Sequence, residues 1–215
     1  SYRNEVIETL GLDAADAHIY AIENAERVIE DVCYAKENVV LFCGRFENWS
    51  KRVDRLLRIW AKVEPIIPDW RLVLVGDGRD GKMLRSLVSE LKLERVSFEG
   101  MHRDVTGYYR KASIVCLTSE TEGWPLALTE GQAQGCIGVA FGVTSGIREI
   151  LGGDCGFVVP PYDEAGFAAT IVKVASMDED ELMRIRMNGV RKRSGYAPEV
   201  IAEKWKTLFD TLVSR

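Results

Sequence analysis

The chain has 215 residues, of which 47% are hydrophobic and 28% charged, an ordinary balance for a globular domain with one large core. Its net charge of −5 and pI of about 5.3 argue against a nucleic-acid-binding surface, which normally brings a pI above roughly 9. No apolar run approaches the roughly 20 residues that span a bilayer, and the first residues lack the pattern of a signal peptide. Five cysteines without a CxxC motif, together with only two histidines, favour reduced thiols in a cytoplasmic protein and argue against a zinc site.

Residues 1–37 differ from the rest of the chain. Their pattern predicts a helix, then a short extended piece in residues 18–25, and then a polar helical stretch in residues 26–37. Because this is not a complete folding unit, we expect a hinge or lead-in segment from something upstream.

After residue 37, short β-branched runs alternate with amphipathic stretches. Strands that are apolar throughout are buried on both faces, so the pattern predicts an α/β fold: a doubly wound, Rossmann-like parallel sheet of about six strands with helices on both faces. All strand C-termini then meet at one edge, where ligands bind. The predicted strands are 39–44, 71–76, 95–100, 113–119, 136–142 and 156–160; the predicted helices are 50–64, 80–92, 103–111, 124–134, 145–151, 163–176, 178–194 and 197–213.

The first predicted strand ends in "GRFENWSKR", residues 44–52. Arg45 and Lys51 flank a loop that opens directly into a helix. Two fixed cations at a parallel-sheet edge suit a diphosphate, because charge-assisted hydrogen bonds hold phosphate oxygens strongly. Taken alone, the same two residues could equally be solvated surface charges.

The second predicted strand runs into Gly76-x-Gly78-x-x-Gly81, the spacing of a dinucleotide-binding fingerprint. Glu99 ends the next strand, about where such a fold would hold a ribose. A lone fingerprint is a weak signal, and a dinucleotide-binding unit usually carries it after its first strand. A dehydrogenase would also leave residues 44–52 without a role.

The fourth predicted strand leads into "SETEGWPLALTEGQAQG", residues 119–135. Gly123 permits close backbone approach, Trp124-Pro125 opens a helix, and Gly135 ends it. Amides at this helix start would attract an anion. Carboxylates at Glu122 and Glu130 suit sugar hydroxyls better than phosphate. Alternatively, Glu122 could complement the helix dipole, and Glu130 could simply be exposed to solvent.

In order, these pieces resemble the C-terminal half of GT-B glycosyltransferases, in particular the large retaining family 4. The signature Glu-x7-Glu corresponds to "EGWPLALTE", and "GRFENWSKR" resembles the family's "GR…KG" loop, with Arg52 where glycine is commoner. The segments "LVLVGDG", "VSFEGMHRD" and "SGIREI" fall at the expected spacings, and "IYAIENA" resembles the family's hinge strand. The similarity is strongest to bacterial enzymes that build capsule, O-antigen or protein-linked glycans on lipid carriers.

The resemblance implies roles by position. Arg45 and Lys51 would neutralise the diphosphate leaving group, and Glu122 would bind donor-sugar hydroxyls near the reacting carbon. Glu130 would accept from the ribose hydroxyls. The other implied substrate-binding residues are Gly44 and Gly78, for close approach; Gly100, Met101 and His102, at the base edge; and Gly123, Trp124, Pro125 and Leu126, at the distal phosphate and sugar. His102 could also be an exposed loop histidine.

The implied reaction transfers a hexose or N-acetylhexosamine from a nucleoside diphosphate, with UDP the commonest carrier in the family, to a glycan or lipid-linked acceptor. We expect no metal and no cofactor, with the cations stabilising the developing charge as a divalent ion does in other transferases. A GT-B enzyme needs two such domains. We therefore expect a donor-binding domain in residues 38–195, a C-terminal helix in 196–215 that returns toward an absent N-terminal domain, and no turnover by this piece alone. The parent enzyme could reach its acceptor at the inner membrane.

Three other interpretations stay open. GT-B epimerases and phosphorylases share the architecture, and the Glu-x7-Glu spacing favours family 4 over them. An NAD-binding oxidoreductase domain would explain only the glycine fingerprint. A non-enzymatic interaction domain would have no need of Arg45, Lys51, Glu122 and Glu130 together.

Overall fold

The computed structural model describes residues 2–13, 18–26 and 28–213. Within these residues six parallel strands form one sheet: β1 (Glu37–Cys43), β2 (Arg71–Val75), β3 (Val96–Gly100), β4 (Ala112–Leu117), β5 (Ile137–Phe141) and β6 (Gly156–Val159). Their order across the sheet is β3-β2-β1-β4-β5-β6. The predicted doubly wound parallel fold is confirmed.

Helices cover both faces of the sheet. Even-numbered residues of β1, such as Val40 and Phe42, join one core with helices α2, α3 and α7. The odd-numbered Val39 and Leu41 join a second core with α4, α5 and α6. The side-chain alternation of a strand thus explains why β1 is apolar at consecutive positions. The described helices are α1 (Tyr2–Leu10), α2 (Val53–Val63), α3 (Gly81–Glu90), α4 (Thr106–Lys111), α5 (Leu126–Ala133), α6 (Ser145–Leu151), α7 (Glu164–Ala175), α8 (Glu179–Ser194) and α9 (Pro198–Val213).

The strand order reverses between β1 and β4. From β1 the chain winds outward to β2 and β3, whereas from β4 it winds the other way to β5 and β6. A crevice opens at such a switch point because the connections leave in opposite directions. The two loops that enter it are residues 44–52, after β1, and residues 118–125, after β4.

The predicted helical stretch in residues 26–37 is wrong. Residues 28–36 form no helix, and the strand β1 already begins at Glu37. Lys36 Nζ donates to the carbonyls of Tyr109, Arg110 and Gln134 at 3.0, 3.1 and 2.5 Å. An isolated helix of this length is marginal in water, so these tertiary contacts at the ends of α4 and α5 decide the path.

Further features differ from the sequence prediction. Helices α2 and α4 each begin three residues later than predicted, at Val53 and Thr106. Residues 18–26 pair with no strand in the described part of the chain, although they resemble a hinge strand. Helix α5 begins at Leu126 rather than Trp124, because Pro125 is itself extended, with ψ at 96°. Gly135 follows the end of α5 with φ at +80°, as predicted for a terminating glycine.

All five cysteines lie in the described residues and are unpaired, as predicted. Across the described ranges, none of the helices has both the length and the apolar character required to cross a bilayer.

Candidate functional site

The loop after β1 rests on the loop after β2. Gly44 N donates to Val75 O at 3.0 Å, and Phe46 N donates to Asp77 O at 2.9 Å. A Cβ on Gly76 would lie 1.9 Å from Gly44 O, and one on Gly78 would lie 2.6 Å from Phe46 O. The absence of a side chain at Gly76 and Gly78 therefore provides the clearance that lets the two loops pack together.

These contacts explain the fingerprint spacing without a dinucleotide. The backbone of the 44–52 loop fills the space beside Gly78, so the two loops can pack together because Gly78 has no side chain. Direct contact of Gly78 with substrate stays a prediction. Gly81 is the first residue of α3, as expected for a glycine at helix entry. A Cβ on Gly44 would meet the Phe42 ring at 3.3 Å.

The loops after β1 and β4 are tied together by backbone and side-chain hydrogen bonds. Glu120 N donates to Ser50 O at 2.8 Å, and Thr118 Oγ1 donates to Arg52 O at 2.9 Å. Arg55 Nη1 reaches Thr118 O at 3.2 Å. The side chains that the resemblance assigns to diphosphate and sugar are therefore held by one connected structure.

Glu120 is the centre of this connection. Its Oε1 accepts from Arg52 Nη1, and from Arg55 Nη2 at 2.6 Å. Burial acts to raise the pKa of this carboxyl, but the hydrogen bonds from Arg55, Arg52 and Tyr162 outweigh it, so the pKa is lowered. Arg52 adopts the left-handed conformation, with φ at 50°, which suits the glycine commoner there in the resembling family.

Lys51 and Glu122 meet as an ion pair between these loops. Lys51 Nζ lies 2.8 Å from Glu122 Oε1, and Ser119 Oγ donates to the same oxygen at 2.6 Å. The Glu122 side chain is only 7% exposed. By contrast, the Arg45 side chain is 73% exposed and pairs with Glu47 at 3.3 Å. The structure thus joins Lys51 to Glu122 and leaves Arg45 at the rim.

The residues after Glu122 turn from the loop into α5. Gly123 is exposed, Pro125 is buried, and Leu126 is 49% exposed. The Trp124 ring packs against the second core and lies 5.5 Å from the Tyr196 ring. This turn places the backbone of residues 123–126 beside the Lys51–Glu122 pair.

Glu130, one turn further along α5, borders a cavity of about 780 Å³. The cavity lies between residues 25–26 and 28–31, α4 with the residues before it, and α5; its lining includes Leu126 but not Arg45, Lys51 or Glu122. Although the residue as a whole is exposed, burial raises the pKa of the Glu130 carboxyl. The nearby Tyr109 hydroxyl is buried and makes no standard hydrogen bond within the described residues.

The predicted base edge lies at the end of β3. Gly100 has φ at +78°, and its carbonyl accepts from Gly76 N at 2.8 Å. Met101 is 83% exposed. His102 is exposed too, and its Nε2 lies 3.0 Å from both Glu99 O and Tyr108 Oη. In the ranges described, no group of three or more His, Cys, Asp or Glu side chains is arranged to hold a metal.

Sequence reasoning missed Glu120, Arg55 and Glu26 as supports of the site. Glu26 lies in the lead-in segment, and its Oε1 accepts from Trp124 Nε1 at 3.3 Å. The one signal in the sequence for Glu120 is Arg52, which stands where the family more often has glycine. An arginine at such a position is expected to pair with a nearby carboxylate.

Comparison with known proteins identifies the family. The sequence model described as "Glycosyl transferases group 1" matches residues 37–177, well over half of the chain. The chain belongs to the glycosyl transferases group 1 family. Membership in this family sets aside the dinucleotide interpretation of Gly76, Gly78 and Gly81.

Two curated relatives extend the family match. An exopolysaccharide phosphotransferase of Streptomyces coelicolor is 35% identical over 172 residues, which cover 77% of this chain and 18% of that protein. The amylovoran biosynthesis glycosyltransferase AmsD of Erwinia amylovora is 28% identical over 193 residues, covering 87% of this chain and 52% of that protein. The chain therefore spans about half, or less, of the length of these relatives.

A solved structure shows the same fold. The structure of the pneumococcal O-GlcNAc transferase GtfA, in complex with UDP and GlcNAc, superposes on this chain with a TM-score of 0.84 and 19% sequence identity. The match covers 100% of this chain and 44% of the GtfA chain. The group 1 chain therefore has the fold of one Rossmann-like half of a GT-B glycosyltransferase.

Proposed function

We propose that the chain is the donor-binding domain of a metal-independent, retaining glycosyltransferase that uses a nucleoside diphosphate sugar. The donor sugar is a hexose or N-acetylhexosamine, and UDP is the preferred carrier. The Lys51–Glu122 pair, set at the switch point with Arg45 at its rim, carries the proposal. It puts a cation and a sugar-hydroxyl acceptor side by side where a nucleotide diphosphate would lie.

The two cations act on the leaving group. When the bond between the anomeric carbon and the diphosphate breaks, its electron pair leaves with the phosphate oxygen. Lys51 and Arg45, with amides near Gly123, would bind that growing charge more strongly in the transition state than in the ground state. Loss of one such donor typically slows a reaction by about 10²–10³-fold.

Glu122 serves as an acceptor rather than a base. Lys51 and Ser119 both donate to its Oε1, which holds the carboxylate in one position at the switch point, where it would accept from sugar hydroxyls. Glu130, beside the cavity, would accept from the ribose, and Gly100 to His102 would meet the base. Retention at the anomeric carbon follows the resemblance to family 4.

The acceptor is proposed from relatives. AmsD is named for amylovoran biosynthesis, and a Campylobacter jejuni relative that is 26% identical over 185 residues is named for an undecaprenol-linked glycan. A glycan or lipid-linked acceptor would bind through a second domain. The cytoplasmic face of a membrane would suit such an acceptor. We expect the 215-residue chain to bind donor without transferring sugar.

Phosphotransfer is the second candidate, because the Streptomyces relative is named a phosphotransferase. Transfer of a sugar phosphate would release UMP from a UDP-sugar, whereas transfer of the sugar alone releases UDP. Since this chain matches only 18% of that relative, the phosphotransfer chemistry can belong to its other regions.

A binding panel tests the proposal. Ligand-observed NMR would compare UDP, GDP, ADP and NAD with the purified chain. We expect UDP to bind and to raise the melting temperature, and NAD to do neither. Binding of NAD alone, or of no nucleoside diphosphate, would contradict the proposal. In a longer protein that contains this domain, the released nucleotide, UDP or UMP, would separate the two candidate reactions.

A further inference from the structure

Glu26 connects the segment before the sheet to the loop that enters α5. Its Oε1 accepts from Trp124 Nε1 at 3.3 Å and from Arg193 Nη1 at 3.1 Å. Its backbone N donates to Tyr196 O at 2.8 Å, and the Tyr196 ring packs on Trp124. Through its carboxylate and its backbone N–H, Glu26 thus connects the segment of residues 18–26 with the α8–α9 junction and with the loop after β4.

This connection is buried and charged. The side chains of Glu26 and Arg193 are 8% and 3% exposed. Arg193 also lies over the Tyr196 ring, 4.4 Å from its centroid. Arg193 Nε and Nη2 are buried and have no hydrogen-bond partner within the described residues. Among those residues, the Arg193 guanidinium therefore donates to Glu26 through Nη1. A carboxylate held this firmly keeps one orientation and presents a fixed acceptor to the indole N–H.

We propose that Glu26 is a positioning residue for Trp124 and, through it, for the turn of residues 122–126. This rests on the proposed function, in which that turn meets the distal phosphate and the sugar. Trp124 is two residues after Glu122, the partner of Lys51. A change in the indole's position would therefore move the backbone that faces the distal phosphate.

The effect should be local within the nucleotide. The predicted base edge at Gly100 to His102 ends β3, which is separated from β4 by β2 and β1. Glu26 also lines the cavity that Glu130 borders. Loss of the Glu26–Trp124 hydrogen bond should therefore weaken contacts to the second phosphate more than contacts to base, ribose and first phosphate. UDP and UMP differ only in that second phosphate, so their comparison isolates the effect.

The test is calorimetric titration of UDP and UMP into the purified wild-type chain, three single variants and one double variant. Glu26→Gln keeps an acceptor oxygen but removes the charge that Arg193 holds in place, so the acceptor for the indole N–H becomes weaker and less fixed. It should weaken UDP binding about 3- to 10-fold, up to the worth of one hydrogen bond, and change UMP binding less than UDP binding. Trp124→Phe keeps the Glu26–Arg193 pair and replaces the indole, with its N–H, by a smaller ring, so it should also weaken UDP binding more than UMP binding, even if Glu26→Gln folds poorly. Glu23→Gln is the matched control: it breaks the 2.7 Å pair with Lys204 in the same segment and should change neither affinity.

The double variant Glu26→Gln/Trp124→Phe decides whether Glu26 acts through Trp124. We expect it to bind UDP no more weakly than the weaker of the two single variants. Equal loss of UDP and UMP binding, additive losses in the double variant, or an equal loss in Glu23→Gln would overturn the proposal. If the wild-type chain binds UDP no better than UMP, the proposed diphosphate site itself fails.

Discussion

At the residue scale, Lys51 and Arg45 occupy very different environments although both are assigned to the diphosphate. Lys51 is paired with a buried carboxylate, whereas Arg45 is at the rim and largely in solvent. A buried charge that loses its partner is destabilising, while an exposed pair contributes little. Substitution of Lys51 should therefore lower the stability of the fold, whereas substitution of Arg45 should affect ligand binding with little effect on stability.

Lys51→Met should lower the free energy of unfolding by about 1–3 kcal/mol, because the buried Glu122 carboxylate then loses its ion pair with Lys51. Arg45→Ala should change it by less than about 1 kcal/mol. Urea denaturation measures both. Lys51→Met combined with Glu122→Gln should recover part of the loss; a double variant less stable than Lys51→Met would show that the pair is not what stabilises these loops.

Gly76 should tolerate no side chain. Its φ of +138° and the 1.9 Å approach of a Cβ to Gly44 O predict that Gly76→Ala destabilises the chain by at least about 2 kcal/mol. Gly107, in α4, has open space around its Cβ position, so Gly107→Ala should be neutral or stabilise by up to about 1 kcal/mol. Equal effects of the two substitutions on chemical denaturation would refute the packing role of Gly76.

At the element scale, the loops after β1 and β4 act as one unit through Glu120. The pKa of its carboxyl is lowered in the folded chain by Arg55 and Arg52, against the opposing effect of burial. A carboxyl with a lowered folded pKa stabilises the fold above its unfolded pKa of about 4.3, and that contribution is lost as the pH falls through the folded value.

Glu120→Gln therefore should cost most stability at neutral pH. The difference in free energy of unfolding between wild type and Glu120→Gln should be constant from about pH 7 to 6 and shrink as the pH falls below about 4.3. Urea titrations at several pH values measure it. A difference that stays the same down to pH 3, or grows, would mean that the charge of Glu120 does not hold the loops.

At the scale of the whole molecule, periodicity was enough to predict the sheet and its helices. Strands such as β4 and β5 are buried along their whole length, and the alternation of strands and helices leaves few other folds. Residues 28–36 were mispredicted because contacts of Lys36 with two helix ends, more than 70 residues away, decide their path. Local propensity carries no information about such contacts.

In the candidate site, too, some residues are predictable from the sequence and others depend on contacts between distant elements. The sequence points to Arg45, Lys51 and Glu122 because each lies in a loop that follows a strand at the ligand edge, and to Glu130 because of its Glu-x7-Glu spacing from Glu122. Glu120 and Glu26 were not found, because a carboxylate becomes a support only through partners brought by other elements. The roles of the site residues in binding stay predictions, and so do the boundaries of residues 1–37, 38–195 and 196–215.

The measurement that tests the account most directly is a calorimetric titration of UDP into the wild-type chain, Arg45→Ala and Arg71→Ala. Arg71 is a matched control, since it is an exposed arginine in a surface ion pair at the opposite edge of the sheet. We expect wild type and Arg71→Ala to bind UDP equally and Arg45→Ala to bind about 10- to 100-fold more weakly, the worth of one charge-assisted hydrogen bond. Unchanged binding by Arg45→Ala, or an equal loss in Arg71→Ala, would contradict a diphosphate site at the β1–β4 switch point.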